Sequence, residues 1–237
     1  MRYYSPAAVC GSRCVSAAPQ LKSPTLQVSF TSSRPFGISY VRSIKKIEAG
    51  AKKFGVKPFL FFDGTEKNLI MAQKVQKCLN ILQEKKLSIP KMEIHLDNWQ
   101  EAFEGASTAA ITEVENYKGK SYIEMSFNTP RYRYLQGDKL HRIKKAPFDT
   151  SFEMDFFHEF THAYQACVNH ENFSKLLTEC FDSETNKEIA QKISSYAATN
   201  KGEFVAEYFA YKMMGKEIKS KKLEILYKQC LGPEVDF

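Results

Sequence analysis

The feature that most constrains this chain of 237 residues is a short segment in which two histidines stand four residues apart. His158 and His162 frame Glu159 in the pattern H-E-x-x-H. When each residue is advanced by about 100°, as in an α-helix, the apolar side chains around the motif fall on one broad side: Phe152, Phe156, Phe160, Ala163, Tyr164 and Cys167. Both histidines fall near the middle of the opposite side, with Asp155 and Gln165 close by. We therefore predict a helix whose aromatic side faces the core and whose histidines face a cleft.

The motif predicts a metal site with hydrolytic chemistry. Side chains four residues apart on a helix project from the same face, so both imidazoles can bind one metal ion. Glu159 is displaced around the helix, where its carboxylate can reach a water at the metal instead of the metal itself. This arrangement is typical of zinc hydrolases of the metalloprotease type. The alternative is a chance match in a chain with five histidines, which the position of both histidines away from the apolar side disfavours.

A catalytic zinc site needs a third protein ligand and an open fourth position. The metzincin extension would need glycine at position 165 and histidine at position 168, but these positions hold Gln165 and Val168. His170 lies two turns beyond His162 and could reach the metal only if the helix ended first. The third ligand is therefore expected farther downstream.

A second predicted helix, residues 203–214, supplies the candidate. It is apolar nearly all round, yet it carries Glu203 and Glu207 one turn apart. Carboxylates on such a helix are costly to bury unless a positive group meets them. We predict that Glu203 is the third zinc ligand and that Glu207 orients a ligand histidine by accepting its hydrogen bond. The alternative is an ion pair with a lysine or arginine elsewhere in the chain.

Three segments together carry a family resemblance: His158 to His162, then Ser195-Tyr196 with Thr199-Asn200, then Glu203-Phe204 with Ala206-Glu207. They resemble the anthrax lethal factor-like zinc metalloprotease domain, a family that includes the single-domain Pro-Pro endopeptidases. The resemblance is specific over residues 152–215 and vaguer upstream. One departure is Thr161, where the family usually has glycine.

The resemblance implies a zinc-dependent endopeptidase, a hydrolase of the kind found among secreted toxins and effectors. Zn²⁺ would be held by His158, His162 and Glu203, with Glu159 as the general base. In this family a tyrosine seven residues before the glutamate ligand points into the active site, and Tyr196 stands seven residues before Glu203. The resemblance therefore implies that Tyr196 donates a hydrogen bond to the oxyanion.

Two alternatives remain open at this point. Lethal factor carries a second copy of this fold that has lost its metal site and serves for partner binding, so the chain could be a catalytically silent binding module. The complete set of motif residues favours the enzyme. A zinc enzyme that acts on a bond other than a peptide bond is the other alternative.

The composition is that of a globular protein, with 43% hydrophobic residues and 18 phenylalanines. No apolar stretch approaches the length of a membrane span. The cysteines, at positions 10, 14, 78, 167, 180 and 230, are scattered and are expected to be free thiols. Residues 1–53 hold nine basic side chains and one acidic side chain, whereas residues 54–237 are nearly neutral. The positive charge therefore belongs to one end of the chain, which disfavours nucleic-acid binding.

Residues 1–44 form a basic tail rich in serine and proline, without an acidic residue. This composition fits a disordered arm, an organellar transit peptide or an export signal read by a specialised secretion system, and no clear secretory signal peptide is present. We expect a secreted or exported protein. Residues 45–237 are predicted to form one metalloprotease domain that acts as a monomer.

The pattern of the remaining chain predicts an α+β fold, with a small mixed sheet and helices followed by an all-helical C-terminal half. The predicted elements are a strand at 56–62, a helix at 65–87, a strand at 91–96, a short helix at 98–103 and a hairpin with arms 111–117 and 121–128. Everything after residue 150 is predicted to be helical. We expect a peptide or protein substrate to bind as an extended strand along the edge formed by the hairpin.

Overall fold

The structure is a computed structural model that describes residues 38–60, 66–97, 109–117, 120–135, 139–142, 151–168, 181, 183–216 and 219–235. Its helices are α1 (Ile38–Lys52), α2 (Glu66–Glu84), α3 (Phe152–Val168), α4 (Glu184–Gln191), α5 (Lys201–Met213) and α6 (Lys221–Gln229). Its strands are β1 (Val56–Leu60), β2 (Met92–Asp97), β3 (Ala110–Tyr117), β4 (Lys120–Asn128), β5 (Tyr132–Leu135) and β6 (Lys139–Arg142).

The fold is α+β. A four-stranded mixed sheet has the order β1-β2-β4-β3, in which β3 runs antiparallel to β4 and the other pairs are parallel. Strands β5 and β6 form a separate antiparallel pair. From α3 onward, the described residues form helices joined by turns. Pro58 lies in β1, at an edge of the sheet, where a residue without a backbone N–H is tolerated.

The main sheet has one apolar face, which packs against α2 and α3. Its buried side chains are Met92, Ile94, Leu96, Ala110, Ile123, Met125 and Phe127. The other face carries Glu93, His95, Glu124 and Ser126, and Ser126 Oγ donates a hydrogen bond to Glu124 at 2.7 Å. The predicted hairpin is confirmed by β3 and β4, since Ile123, Met125 and Phe127 share the buried face as their alternation indicates.

The other predicted elements agree with the structure within a few residues. The first two predicted strands correspond to β1 and β2, although residues 61 and 62 lie outside the described residues. The predicted short helix at 98–103 also lies outside them. Helix α2 ends at Glu84, three residues earlier than predicted. The reason is Lys86, whose φ of 56° is left-handed, so that Leu87 N–H donates back to the Leu82 carbonyl at 3.0 Å.

Helix α1 overlaps the predicted tail. It begins at Ile38, so the last seven residues of the segment 1–44 are helical, whereas residues 1–37 lie outside the described residues. Ile47 and Ala51 are buried and attach the helix to the core.

Helix α3 is the centre of the molecule, because the sheet covers one side of it and α5 covers another. Phe152, Phe156 and Phe160 are fully buried, as the apolar pattern predicts. One detail of that prediction is wrong, because Cys167 lies in the last turn of α3 and is exposed. On the opposite side, Asp155 and Gln165 are both buried.

Two side-chain contacts attach neighbouring elements to α3. Tyr132, at the start of β5, donates a hydrogen bond from its hydroxyl to Asp155 Oδ2 at 2.8 Å, which satisfies that buried carboxylate. Lys74 of α2 forms an ion pair with Glu153. Both contacts fix the orientation of the helix that carries the motif.

Cys78, Cys167 and Cys230 are free thiols, as expected, and the other cysteines lie outside the described residues. Among the helices of the described part, none has the length and apolar character needed to cross a membrane.

Candidate metal centre

The two histidines of the motif meet at one point on α3. Their ring centroids are 4.8 Å apart, and the Nε2 atoms of His158 and His162 are separated by 3.1 Å. His158 is buried and His162 is partly buried. The aromatic side of α3 fixes the rotation of the helix in the core, so both imidazoles point away from the sheet toward α5.

Glu203 approaches the histidines from the first turn of α5. Asn200 caps this helix, because its Oδ1 accepts a hydrogen bond from the Glu203 backbone N–H at 2.9 Å. Phe209 packs against Phe157 and Phe160 of α3, with ring centroids 6.5 and 6.2 Å away, and holds the two helices together. Glu203 Oε2 consequently lies 3.1 Å from His158 Nε2 and 3.6 Å from His162 Nε2.

These three atoms form a nearly equilateral triangle with edges of 3.1, 3.1 and 3.6 Å. Neighbouring ligand atoms around a tetrahedral ion with bonds of about 2.0–2.1 Å are about 3.3 Å apart. Glu203 Oε2 is also buried and faces both imidazole nitrogens. The buried group of His158, His162 and Glu203 could therefore hold a metal ion.

The electrostatics of the group indicate the same preference for a positive charge. Burial by itself lowers the pKa of His158, but the carboxylates of Glu203 and Glu207 outweigh it, and the pKa stays well above its usual value. Burial raises the pKa of Glu203, but hydrogen bonds with His158 and His162 pull that pKa well below its usual range. A single cation bound among these groups would offset the cost of burying the carboxylate charges.

Glu207 lies one helical turn beyond Glu203 and contacts the other ring nitrogen of His158. Its Oε1 is 3.0 Å from His158 Nδ1, and its Oε2 accepts a hydrogen bond from Ser194 Oγ at 3.3 Å. A carboxylate in this position fixes the ring orientation and leaves Nε2 as the free lone pair. The competing prediction of a lysine or arginine partner finds no support, since the described residues contain no such ion pair with Glu203 or Glu207.

Glu159 is buried on the side of α3 that faces β3. Thr112 of β3 places its hydroxyl oxygen 2.8 Å from Glu159 Oε2 and 3.0 Å from the Glu159 carbonyl oxygen. Thr112 was not among the residues predicted from the sequence. One signal could have found it, because Thr112 is the polar member of the alternating set formed with Ala110 and Val114 on the apolar face of β3.

Tyr196 is brought to the same site by the turn between α4 and α5. Its ring stacks on the His158 ring, with centroids 5.9 Å apart and planes at 24°, and the residue is 40% exposed. Thr199 Oγ1 donates to the Tyr196 carbonyl at 2.7 Å and stabilises the turn. Burial and then the charges of Glu203 and Glu159 raise the pKa of Tyr196, so its hydroxyl keeps its proton and can act as a donor.

The structure thus brings His158, His162 and Glu203 together, and Glu207 and Tyr196 both contact His158. Glu159 follows His158 in α3, and its carboxylate lies against Thr112. Comparison of the chain with models of known protein families, with curated proteins and with solved structures found no significant match. The geometry of these residues is therefore the basis for assigning a function.

Proposed function

We propose that the protein is a zinc-dependent endopeptidase of the lethal factor-like type. The observation that carries the proposal is the convergence of His158, His162 and Glu203 on one point. Two nitrogens and one carboxylate oxygen form a ligand set that suits zinc and leaves a fourth position open, as in catalytic zinc sites. The stacking of Tyr196 on His158 and the position of Glu159 next to that histidine in α3 support hydrolysis over a purely structural metal.

Each residue of the site would have its own role in the reaction. When bound, zinc would supply a Lewis acid that polarises the scissile carbonyl group and acidifies the attacking water. Glu159 would accept the proton of that water and deliver it to the leaving amine. Tyr196 would donate a hydrogen bond to the carbonyl oxygen as negative charge develops there. Glu207 would keep the His158 ring in the required tautomer.

The edge of β3 supports an extended peptide as substrate. Asn128 N–H donates to the Ala109 carbonyl at 2.8 Å, one step beyond the opposed pair Ala110 and Phe127. Because bonded and non-bonded pairs alternate in an antiparallel ladder, the peptide groups of Ala110, Thr112 and Val114 point away from β4. Among the described strands none pairs with β3 on that side. A substrate can therefore add to this edge beside Glu159.

The test is to measure bound metal and peptide cleavage in the same preparations of the full chain. We expect about one zinc per chain by elemental analysis and cleavage of members of a peptide library. Glu203→Ala should lose both metal and cleavage, whereas Glu159→Gln should keep the metal and lose cleavage, because only the general base is removed.

Glu184→Ala is the matched control, because Glu184 is an exposed glutamate in the first turn of α4 that does not belong to the ligand group. This variant should retain both properties. Zinc binding without cleavage of any peptide would instead favour a zinc enzyme that acts on another bond, and the absence of both zinc and cleavage would favour a binding module. A Glu159→Gln variant with the parental rate would contradict the assigned general base.

A further inference from the structure

The hydroxyl of Thr112 in β3 forms a hydrogen bond with the carboxylate of Glu159 in α3. Its Oγ1 carries a single proton and has two acceptors within reach, Glu159 Oε2 at 2.8 Å and the Glu159 carbonyl oxygen at 3.0 Å. A bond to a buried carboxylate is charge-assisted and stronger than one to a neutral carbonyl that already belongs to a helix. The carboxylate is therefore the preferred acceptor.

The backbone of Thr112 has a different task from its side chain. Its peptide groups point toward the free edge of β3, because Thr112 is opposed to Met125 in a pair that is not hydrogen-bonded. One residue thus faces the edge with its main chain and Glu159 with its side chain. Thr112 therefore connects the strand along which a substrate would bind to the carboxylate that would act as the base.

We infer that Thr112 is a positioning residue for Glu159, which fixes the carboxylate relative to a peptide bound along β3. The catalytic consequence of this inference rests on the proposed function, whereas the hydrogen bond between Thr112 and Glu159 does not depend on it. A base has to lie within hydrogen-bond reach of the proton that it removes. A small displacement of such a group can cost about 100-fold in rate. The carboxylate of Glu159 sits on a flexible side chain, so a fixed partner limits its rotamers.

The activity test compares Thr112→Val with Thr112→Ser. Valine keeps the shape and removes the hydroxyl, so kcat should fall by about 10- to 100-fold while KM and zinc content stay at the parental values. Serine restores the donor and should restore most of kcat. Ser126→Ala is the matched control, because Ser126 also donates to a glutamate, Glu124, but from the opposite face of the sheet. It should leave kcat unchanged.

A second measurement does not need activity. In the presence of a chelator, the unfolding equilibrium constant is measured for Thr112→Val, Glu159→Ala and the double variant. If the hydroxyl serves the carboxylate, the two changes should be coupled by about tenfold or more. Independent effects would show that Thr112 serves only the helix carbonyl and would overturn the inference.

A parental kcat in Thr112→Val would also overturn the inference. Lower zinc content and thermal stability together with a changed KM would overturn it as well, because these changes indicate a purely structural role. If no variant and no parent preparation cleaves any peptide, the proposed function fails. The coupling between Thr112 and Glu159 then still decides whether the hydroxyl positions the carboxylate.

Discussion

At the scale of single residues, three functional residues of the candidate site have a neighbour that is not itself a candidate metal ligand. Glu207 contacts His158 Nδ1, and Asn200 caps the backbone that carries Glu203. The Thr112 hydroxyl forms a hydrogen bond with the carboxylate of Glu159. These partners remove rotational freedom before any ion or substrate arrives, which lowers the entropic cost of assembling the site.

Tyr196 offers the sharpest test at this scale. Tyr196→Phe keeps the ring that stacks on His158 and removes only the hydroxyl. If that hydroxyl stabilises the oxyanion, kcat should fall by about 10²–10³ with zinc content and melting temperature unchanged. Steady-state kinetics and elemental analysis on the same samples would measure both. An almost parental rate would mean that the tyrosine only packs against the histidine.

At the scale of elements, the site depends on how α3 and α5 pack. Phe209 is fully buried between the two helices and contacts Phe157 and Phe160. Because Glu203 belongs to α5 and both histidines belong to α3, any shift between the helices separates the ligand atoms. If the site binds a metal ion, its affinity should therefore report on this packing.

Phe209→Ala should reduce the free energy of unfolding by about 3–5 kcal/mol, because it leaves a cavity in the α3–α5 interface. It should also weaken zinc binding although no ligand is changed. Ile225→Ala on α6 is the control, since Ile225 is 57% exposed and its loss should change stability by less than about 0.5 kcal/mol. Denaturant unfolding and a zinc titration would measure both effects. Unchanged zinc affinity in Phe209→Ala would show that the ligands adjust independently of the packing.

The sequence predicts the elements that have a strong local pattern and misses what depends on distant contacts. The aromatic stripe of α3 and the alternation in β4 suffice to place those elements and their buried faces. The left-handed Lys86 was missed because lysine carries no signal for that conformation, which glycine usually adopts. Thr112 was missed for another reason, since its partner lies 47 positions away and only tertiary packing brings them together.

At the scale of the whole molecule, the candidate site joins separate parts of the chain. Helix α3 is covered by the sheet on one side and by α5 on another, so an ion between α3 and α5 would connect the helical half to the element that anchors the sheet. Binding to the folded state alone stabilises a protein in proportion to the logarithm of ligand concentration.

Zinc should therefore raise the melting temperature. At a free concentration about 1,000 times the dissociation constant, the gain is about 4 kcal/mol. For a chain of this size that corresponds to about 8–16 °C. Thermal unfolding with zinc and with a chelator would measure the shift. The shift should vanish in Glu203→Ala and persist in Glu184→Ala, and a shift of equal size in both variants would place the ion elsewhere.

The edge of β3 that no described strand covers would also limit how a peptide bound there can move. The outward peptide groups belong to Ala110, Thr112 and Val114, that is, to every second residue. A peptide that slips by one residue turns its own donors and acceptors away from this edge, whereas a slip of two residues restores every bond. Mispositioned peptides would thus be cut an even number of residues from the principal bond, and fragments whose lengths differ from the principal product by an odd number of residues would be under-represented in the digest. The alternation of outward peptide groups along β3 would thus determine which neighbouring bonds are cut.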